Sequence, residues 1–249
     1  MVISIEKWYA WAPGLETPSD WRNWAEEKMK ISDSGAPNLD FLPAMQRRRL
    51  SLLSKMAFAA AYHCLDAGSR KVRTVFASRH GEIQRTGNIL HDILNKEGVS
   101  PTAFSLSVHS ATAGLFSIFQ ENKEPSVTVS ARKDTFGSAI VEAAGLLSRD
   151  PEEPVLIIAA DELLPEELSE FADEVEAPHA VAFLISPGKD FKNTRNIEVN
   201  FEFYEKKSNN NIKNEPFPLQ FIRWYLSEKQ EISIDGERLK WYFKKSPTS

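Results

Sequence analysis

The alternation of apolar and polar positions divides the chain into strand-like and helix-like segments that follow one another in turn. Apolar strands are predicted at residues 2–5, 73–78, 125–130, 154–161 and 179–186. Helices are predicted between them, around 18–29, over 46–67, within 82–98, over 103–120 and over 135–148. The last two strands are apolar on both faces, which is typical of strands buried between two helical layers. The pattern predicts an α/β fold with a mostly parallel sheet and helices on both faces.

Two of the predicted helices carry boundary signals. The 46–67 helix has one apolar stripe with the 3-4 spacing of a buried face, formed by Leu50, Leu53, Ala57, Ala60 and Cys64. Gly68 stands where a helix C-terminus favours glycine. Ser19 or Asp20 is expected to cap the helix near residue 18.

The pattern changes after Pro187. Residues 196–204 alternate strictly, as in a half-exposed strand, and residues 218–226 form a short amphipathic segment. A hairpin is predicted about Asp235-Gly236. We therefore expect two parts, a main domain over residues 1–187 and a C-terminal appendage over 188–249 that packs on it.

Composition narrows the functional classes. The chain has 249 residues, of which 42% are hydrophobic and 26% charged, and its net charge is −5. This balance is ordinary for a globular protein and argues against a nucleic-acid partner. No apolar run approaches the roughly 18–20 residues needed to cross a bilayer, and the N-terminus lacks the features of a signal peptide. With a single cysteine no internal disulfide can form, so we expect a cytoplasmic protein.

Common catalytic motifs are missing. The sequence has neither the G-x-x-x-x-G-K-[ST] nor the G-x-G-x-x-G pattern of nucleotide sites, and its five histidines and one cysteine are not clustered as zinc ligands. We expect no cofactor and no metal. Ser107 and His109 form a conceivable dyad for a small hydrolase, although a hydrogen-bonded structural histidine is the commoner explanation. The acidic pairs Glu166-Glu167 and Asp173-Glu174 are expected only to solvate a surface.

The segment 126–147, SVTVSARKDTFGSAIVEAAGLL, predicts a buried strand, a sharp polar turn and an Ala-rich helix. Such a turn can hold a nucleophile at a helix N-terminus, where backbone N–H groups and the helix dipole favour an anion. Here the turn carries Arg132, Lys133 and Asp134 instead of a cysteine or a serine between glycines.

The order of these elements resembles the N-terminal half of the β-ketoacyl synthases, which belong to the thiolase-like superfamily. In that family a strand similar to SVTVS precedes the turn with the acyl-carrying cysteine, and a hydrophobic strand ends in G-G-x-E, here AADE at 159–162. The segment FSLSVHSATAGLFSI is similar to the helix that faces the dimer partner and the acyl tunnel. The resemblance covers about residues 45–187 and implies a truncated thiolase-like fold, the N-terminal half, with a short C-terminal strand and helix appendage. The phrases FASRHGEI, SPTAFSLSVHSATAG and LIIAADE are similar to chain length factors of aryl polyene pathways.

Two departures from the family pattern bear on activity. Counting from Ser126 places the family's cysteine at Lys133, and no cysteine occurs after Cys64. An ordinary lysine is protonated at neutral pH, and a deprotonated one would form a stable amide. The family's two catalytic histidines belong to a C-terminal half that has no counterpart here. The resemblance therefore implies a catalytically inactive subunit without a nucleophile.

The resemblance also implies a partner, an active β-ketoacyl-acyl carrier protein synthase with which this chain forms a heterodimer. The strand before the turn would pair across the dimer axis, which makes Ser126, Val127, Thr128, Val129 and Ser130 interface candidates. If residues 104–119 form one helix, Val108, Thr112 and Phe116 share a face, and they are the candidates for a tunnel wall that limits product length. Acyl carrier protein would meet the complex indirectly, through Arg132 or through the basic run Arg47–Arg49. No integral membrane association is expected.

Several alternatives stay open. Lys133 is a plain surface or interface lysine, a salt-bridge partner of Asp134 or of a carboxylate on the other subunit, or a reactive amine. The whole chain is alternatively a free-standing hydrolase that uses Ser107 and His109. A third alternative is a homodimeric scaffold that holds an acyl chain without transforming it.

Overall fold

Eight strands form one continuous sheet in this computed structural model, which describes residues 1–65, 71–188, 195–203 and 213–246. The strands are β1 Val2–Trp11, β2 Arg73–Ala77, β3 Ser126–Val129, β4 Val155–Asp161, β5 His179–Pro187, β6 Arg195–Phe203, β7 Glu231–Asp235 and β8 Leu239–Lys245. Their order across the sheet is β3-β2-β4-β5-β1-β6-β8-β7, so β3 and β7 lie at the two edges.

The expected α/β class is confirmed, but the prediction of a mostly parallel sheet is wrong. Only β3, β2 and β4 run parallel to one another. The pairings of β5 with β4 and β1, of β6 with β1 and β8, and of β7 with β8 are all antiparallel. The physical reason lies between β4 and β5, where the chain forms only a 3-10 helix, Glu166–Phe171, and no crossover helix. Without a crossover helix the chain returns antiparallel.

Helices cover both faces of the sheet. They are α1 Pro18–Ala25, α2 Ala44–Arg47, α3 Leu52–Cys64, α4 Ile83–Leu94, α5 Pro101–Ser105, α6 Ala111–Phe119, α7 Thr135–Arg149 and α8 Phe217–Leu226. One face carries α3, which packs on β1, β4 and β5 and on which α6 rests. The other face carries α7 over β2 and β4, with α8 beside α1.

Each face has its own hydrophobic core. Along β4, Ile157 and Ala159 contribute to the core beneath α7 and α8, whereas Leu156 and Ile158 contribute to the core beneath α3. The alternation follows from the pleat of the strand, which sends successive side chains to opposite faces. The apolar strands predicted from the sequence therefore lie buried between two layers of helices.

The C-terminal strands extend the same sheet. β6 pairs with β1, and side chains of β6, β7, β8 and α8 belong to the core beneath α7. The predicted hairpin about Asp235-Gly236 is confirmed, since β7 and β8 are antiparallel neighbours. The division at 187/188 remains a prediction, and the strands on both of its sides lie in one sheet.

The single helix expected over 46–67 is wrong. The structure has α2 and α3 instead, separated by residues 48–51. Ser51 is the N-cap of α3, and its Oγ accepts from the N–H of Ser54. The expected role of Gly68 falls outside the described residues. The cap of α1 is Thr17 rather than Ser19 or Asp20, and Asp20 completes a capping box from the third helical position.

The single helix expected over 103–120 is also wrong, because residues 106–110 break it into α5 and α6. His109 anchors the break. Its Nε2 donates to the carbonyl oxygen of Ser78 at 2.7 Å, and its ring packs on Gly81, which has φ +59. A Cβ at Gly81 would lie 2.7 Å from His109 Cδ2, so a larger residue at position 81 would displace the ring.

Candidate functional site

The turn between β3 and α7 forms a sharp elbow at the carboxyl ends of the parallel strands. Its apex is Arg132, which has φ +52, a left-handed conformation that costs a non-glycine residue on the order of 1 kcal/mol. Thr135 closes the turn, since its Oγ1 accepts from the N–H of Ala131 and donates to the carbonyl oxygen of Arg132. A strained strand-to-helix turn of this kind is how hydrolases present a nucleophile. Here the apex side chain is exposed and forms an ion pair with Glu237 at 3.2 Å.

Lys133, the next residue, is part of an ionic network. Its Nζ lies 3.0 Å from Asp173 Oδ2 and donates to the backbone carbonyl of Asp173 at 2.9 Å. Arg79 pairs with both Asp173 at 2.7 Å and Glu174 at 3.0 Å, and its side chain is only 14% exposed. The interpretation of Asp173-Glu174 as surface solvation is therefore wrong. Lys133 pairs with Asp173 and not with Asp134, which was one of its expected partners.

The carboxylate at Asp173 is held in its charged form. Burial alone would raise its pKa, but hydrogen bonds from Arg79 and Lys133 outweigh this effect and lower the pKa of Asp173 below its ordinary value. The ammonium of Lys133 faces a charged carboxylate and a carbonyl, so it is engaged in structure rather than presented to a substrate.

Asp134 binds the C-terminal hairpin to the elbow. It is only 5% exposed, and its carboxylate accepts from the N–H groups of Glu237 at 3.1 Å and Arg238 at 2.9 Å and from Trp241 Nε1 at 2.8 Å. Gly236 is required by this contact, because a Cβ there would lie 1.7 Å from Asp134 Oδ1. The three consecutive residues of the turn are thus all engaged in contacts within the chain.

The voids beside the elbow are small. Two of them, one lined by Arg79, Asp161 and Glu174 and the other by Lys133 and Phe136, have volumes of about 20 Å³. Such a void has room for about one water molecule. Neither of these two voids is large enough for an acyl chain.

The three tunnel-wall candidates do not share one helical face. Val108 lies in the turn before α6 and is 50% exposed. Thr112 is buried, and its hydroxyl bonds with Ser54 and with the carboxylate of Glu82. Phe116 is buried against Phe58 with ring centroids 5.4 Å apart. Their proposed roles stay predictions, but the single helix on which they were grouped does not exist.

Ser107 and His109 are each bound elsewhere. The hydroxyl of Ser107 donates to the carbonyl oxygen of Phe104 at 2.8 Å, and Nε2 of His109 donates to Ser78. A nucleophile and its base must bond to each other. These contacts give no support to a hydrolase dyad.

The strand β3 lies at an open edge of the sheet. Within the described chain it pairs with β2 alone, and its side chains are exposed or half-buried, whereas those of β2 are all buried. The N–H groups of Thr74 and Ser78 donate to the carbonyl oxygens of Pro125 and Val129. By the alternation of a parallel ladder, the N–H and C=O groups of Thr128 therefore point away from β2. This edge is available for pairing with another strand.

Exposed apolar side chains accumulate between β2 and β3. They are Leu90, Ile93 and Leu94 of α4, Phe104 of α5, Val108 in the turn before α6, and Ile118 of α6, each at least half exposed. Together with β3 we call these six residues the docking surface. The helix α6 packs against β3, and α4 against α5. Contiguous exposed apolar patches mark interaction sites, and Ile118 lies on the helix that contacts β3.

Sequence reasoning missed the residues that hold the elbow. Arg79 and Asp173 are 94 positions apart, and no periodicity relates them. Asp134 was considered only as a neighbour of Lys133, and its position at the start of α7 was the signal for a structural role. Glu82 was also missed, because its partners Ser54 and Thr112 lie 28 and 30 positions away.

Among the described residues, no group of three or more His, Cys, Asp or Glu side chains is arranged to hold a metal ion. No helix in the same ranges is both long enough and apolar enough to span a membrane.

Comparisons with known proteins agree with this architecture. A family model described as the N-terminal domain of β-ketoacyl synthases matches residues 21–244. No curated protein sequence matches the chain.

Solved structures share the fold. A structure titled ketosynthase (ApeO) in complex with its chain length factor (ApeC), from Xenorhabdus doucetiae, is similar with a TM-score of 0.83 and 26% identity, over 98% of this chain and 99% of that chain. A complex described as the ishigamide ketosynthase/chain length factor aligns with a TM-score of 0.65 and 14% identity, over 82% of this chain and 68% of that one. A structure described as a type II polyketide synthase acyl carrier protein in complex with its ketosynthase (AntDE:AntF) aligns with a TM-score of 0.66 and 12% identity. The alignment covers 98% of this chain and 99% of that chain. At identities of 12–14%, the last two show the fold alone.

Proposed function

Because the chain belongs to the family defined by the β-ketoacyl synthase N-terminal domain, we propose that it is a non-catalytic chain length factor. It pairs with an active β-ketoacyl-acyl carrier protein synthase and shapes the acyl tunnel of that partner. The pathway is the synthesis of aryl polyenes or of related type II polyketide-like chains. The similarity along nearly its whole length to a structure titled as a ketosynthase with its chain length factor carries this proposal.

The elbow supports the non-catalytic role. Condensation needs a nucleophile that forms a thioester, and Arg132, Lys133 and Asp134 form ion pairs and hydrogen bonds within the chain instead. The voids of about 20 Å³ beside them leave no room for a substrate. The chain keeps the fold of a ketosynthase elbow and uses it as a structural joint.

The edge strand supports pairing with a second subunit. The interface candidates Ser126–Val129 form β3, and Ser130 follows directly. Thr128 presents an unpaired donor and acceptor outward. Ile118, which is 69% exposed, lies on α6, the helix that packs against β3. Pairing of two edges with burial of apolar surface is a common way to form a stable dimer.

Among the three candidates for the tunnel wall, Val108 is the best placed. Its side chain is half exposed on the docking surface, where a partner's cavity can reach it. Thr112 and Phe116 would act through the position of α6, since both are buried inside this chain. A bulkier side chain at position 108 would shorten the products by filling the end of the tunnel.

Contact with acyl carrier protein is assigned to the exposed basic run. Arg47 is occupied by Asp40 at 2.6 Å, and Arg132 by Glu237, whereas Arg48 and Arg49 are exposed beside Met45. An acidic carrier protein would meet these two arginines most readily.

Co-expression with the ketosynthase encoded nearest the gene tests the proposal. Size-exclusion chromatography with light scattering should give a one-to-one complex at the summed mass, and the chain alone should aggregate. A monodisperse chain that ignores the ketosynthase would overturn the assignment. A stable homodimer would point to the acyl-binding scaffold, and ester turnover abolished by His109→Ala would point to the hydrolase.

Matched variants locate the interface. Ile118→Glu places a charge on the docking surface at a side chain that is 69% exposed, and it should abolish the complex. Phe203→Glu changes an 89% exposed side chain on β6, away from β3, and should leave the complex intact. Thr128→Pro removes an outward N–H without a bond to β2, so it should weaken the complex while the chain stays folded.

A further inference from the structure

A groove lies between the segment after α1, the loop before β5 and the start of α8. Its volume is about 730 Å³, within the range of roughly 300–1,000 Å³ that is typical of ligand pockets. We call it the α1–α8 groove. None of the residues that line it belongs to the elbow turn or to the docking surface, so the proposed function gives it no role.

The inner lining of the groove is apolar. Trp24 is 4% exposed and Leu219 is 1% exposed, so both are already packed in the core beneath α7 and α8. The loop before β5 adds Leu163 and Val175, which are 37% and 44% exposed, and the segment after α1 adds the partly buried Ile31. Apolar side chains of an occupant would therefore be removed from water here.

Hydrogen bonds fix the walls of the groove. Arg223 joins α8 to α1, because its guanidinium carbon lies 3.8 Å from the centroid of the Trp24 ring and its Nη1 donates to the carbonyl oxygen of Trp24 at 3.0 Å. The same guanidinium donates to both carboxylate oxygens of Glu215, at 2.6 and 3.1 Å. The N–H of Val175 donates to the carbonyl oxygen of Asn214 at 2.8 Å. The lining is organised in advance, which lowers the entropic cost of binding.

The charged side chains of the groove are mostly acidic. They are Glu27, Asp33, Glu176 and Glu215, against the basic residues Lys30 and Arg223. Arg223 is neutralised by Glu215, which leaves three carboxylates and one ammonium. Glu27 and Asp33 are exposed, and within the described residues neither carboxylate has an ion-pair partner. Two rim carboxylates are therefore free to meet a cation.

The loop before β5 extends this negative charge. Residues 161–178 contain eight acidic residues and no basic one. Arg79 and Lys133 pair with Asp173 and Glu174, whereas the acidic residues of the 3-10 helix are exposed. A negative field beside an apolar lining favours an occupant that is both cationic and apolar, and it disfavours an anionic one.

We propose that the α1–α8 groove binds a short, extended segment of another protein, one that carries lysine or arginine side chains beside apolar ones. The apolar side chains pack on the lining around Trp24 and Leu219, and the cations pair with Glu27 and Asp33 on the rim. This inference does not rest on the proposed function, because the groove is formed by this chain alone.

Fluorescence anisotropy with two labelled hexapeptides tests the proposal. One peptide alternates lysine and leucine, and the other alternates glutamate and leucine. The protein is the full chain, together with its ketosynthase when it is obtained only as the complex. The lysine peptide should bind at least about tenfold more tightly, and added salt should weaken it. Equal affinity for the two peptides, or no detectable binding of the lysine peptide, would overturn the proposal.

A matched pair of variants locates the binding. Val175→Arg places a cation in the groove at a side chain that is 44% exposed, and it should weaken the lysine peptide on the order of tenfold. Phe171→Arg is the control in the same loop. That side chain is 67% exposed and lines the small void beside Arg79 rather than the groove, so the affinity should stay near the wild-type value. An equal loss in both variants contradicts the assignment, since the charge of the loop would then explain the binding without the groove.

A double variant tests the rim without a change in packing. Glu27→Gln combined with Asp33→Asn removes two exposed charges and keeps every apolar contact of the lining. The lysine peptide should lose several-fold in affinity, and the glutamate peptide should bind no more weakly than before. Wild-type affinity for the lysine peptide in this double variant would show that the rim carboxylates do not recognise it, against the proposal.

Discussion

Replacing Asp134 with alanine should lower the free energy of unfolding, because it removes the bonds that hold the β7–β8 hairpin on the elbow. The carboxylate accepts three hydrogen bonds, from two backbone N–H groups and from Trp241 Nε1. A bond to a charged acceptor contributes about 1.5–3 kcal/mol. Trp241 is 1% exposed, so its N–H loses its partner outright, whereas the backbone N–H groups of Glu237 and Arg238 regain water. The expected loss is therefore about 3–4 kcal/mol, a large part of the roughly 5–15 kcal/mol that stabilises a domain.

Urea unfolding followed by tryptophan fluorescence measures this loss. Asp235→Ala is the control within the same hairpin, since its carboxylate is 47% exposed and pairs with Lys240 at 3.3 Å. The control should cost no more than about 0.5 kcal/mol. A loss below about 1 kcal/mol for Asp134→Ala, or a loss equal to that of the control, would refute the reasoning that the hairpin depends on this carboxylate.

Three further outcomes are expected. Lys133→Cys should not restore acyl transfer, because the void beside the elbow is about 20 Å³; acylation seen by intact-mass spectrometry with an acyl-pantetheine donor would contradict this. Phe116→Ala should cost about 3–5 kcal/mol in thermal unfolding, and it should alter product length only if α6 borders the tunnel. Asp173→Asn should lower stability by about 1 kcal/mol or less, since the carboxylate is 47% exposed. Because the pKa of Asp173 is lowered on folding from its ordinary 3.8, that difference should be present at pH 7 and shrink as the pH falls below 3.8 toward the folded-state pKa. A difference that is as large at pH 2 as at pH 7 would contradict the ion-pair explanation.

The strands and their burial could be predicted because each depends on local pattern. Residues 154–161 and 179–186 are continuous apolar runs, and the structure buries them between two cores. Strand direction could not be predicted from these runs, because it depends on the connection. Residues 162–178 lack a helical pattern, and that signal for an antiparallel return was present but not used.

The predictions of unbroken helices over 46–67 and 103–120 failed for a different reason. The apolar spacing through 46–67 and 103–120 is compatible with unbroken helices. Neither segment contains proline, and Gly114 lies inside α6 rather than at the break. The breaks come from tertiary contacts. The hydroxyl of Ser51 donates to the carboxylate of the buried Glu82, and Nε2 of His109 donates to the carbonyl oxygen of Ser78. Partners 31 residues away decide both, so local propensity is overridden.

The contrast between local sequence pattern and distant contacts also explains which features of the candidate site could be predicted. That the turn carries no cysteine was visible in the sequence itself. The new role of each turn residue was not visible, because Glu237, Asp173 and Trp241 lie 40 to 107 positions away.

If the chain is the non-catalytic subunit proposed above, the left-handed backbone at Arg132 has a cost without a catalytic benefit, and the turn would be expected to relax. The side chains of the turn stabilise two neighbouring segments. Asp134 binds the β7–β8 hairpin, and Lys133 binds the loop that contains Asp173. Both contacts depend on the sharp turn after β3, which is an edge strand of the sheet. Because the turn follows β3 directly, a variant that relaxes it should disturb this strand and, under the proposed function, weaken partner binding without changing a residue of the docking surface.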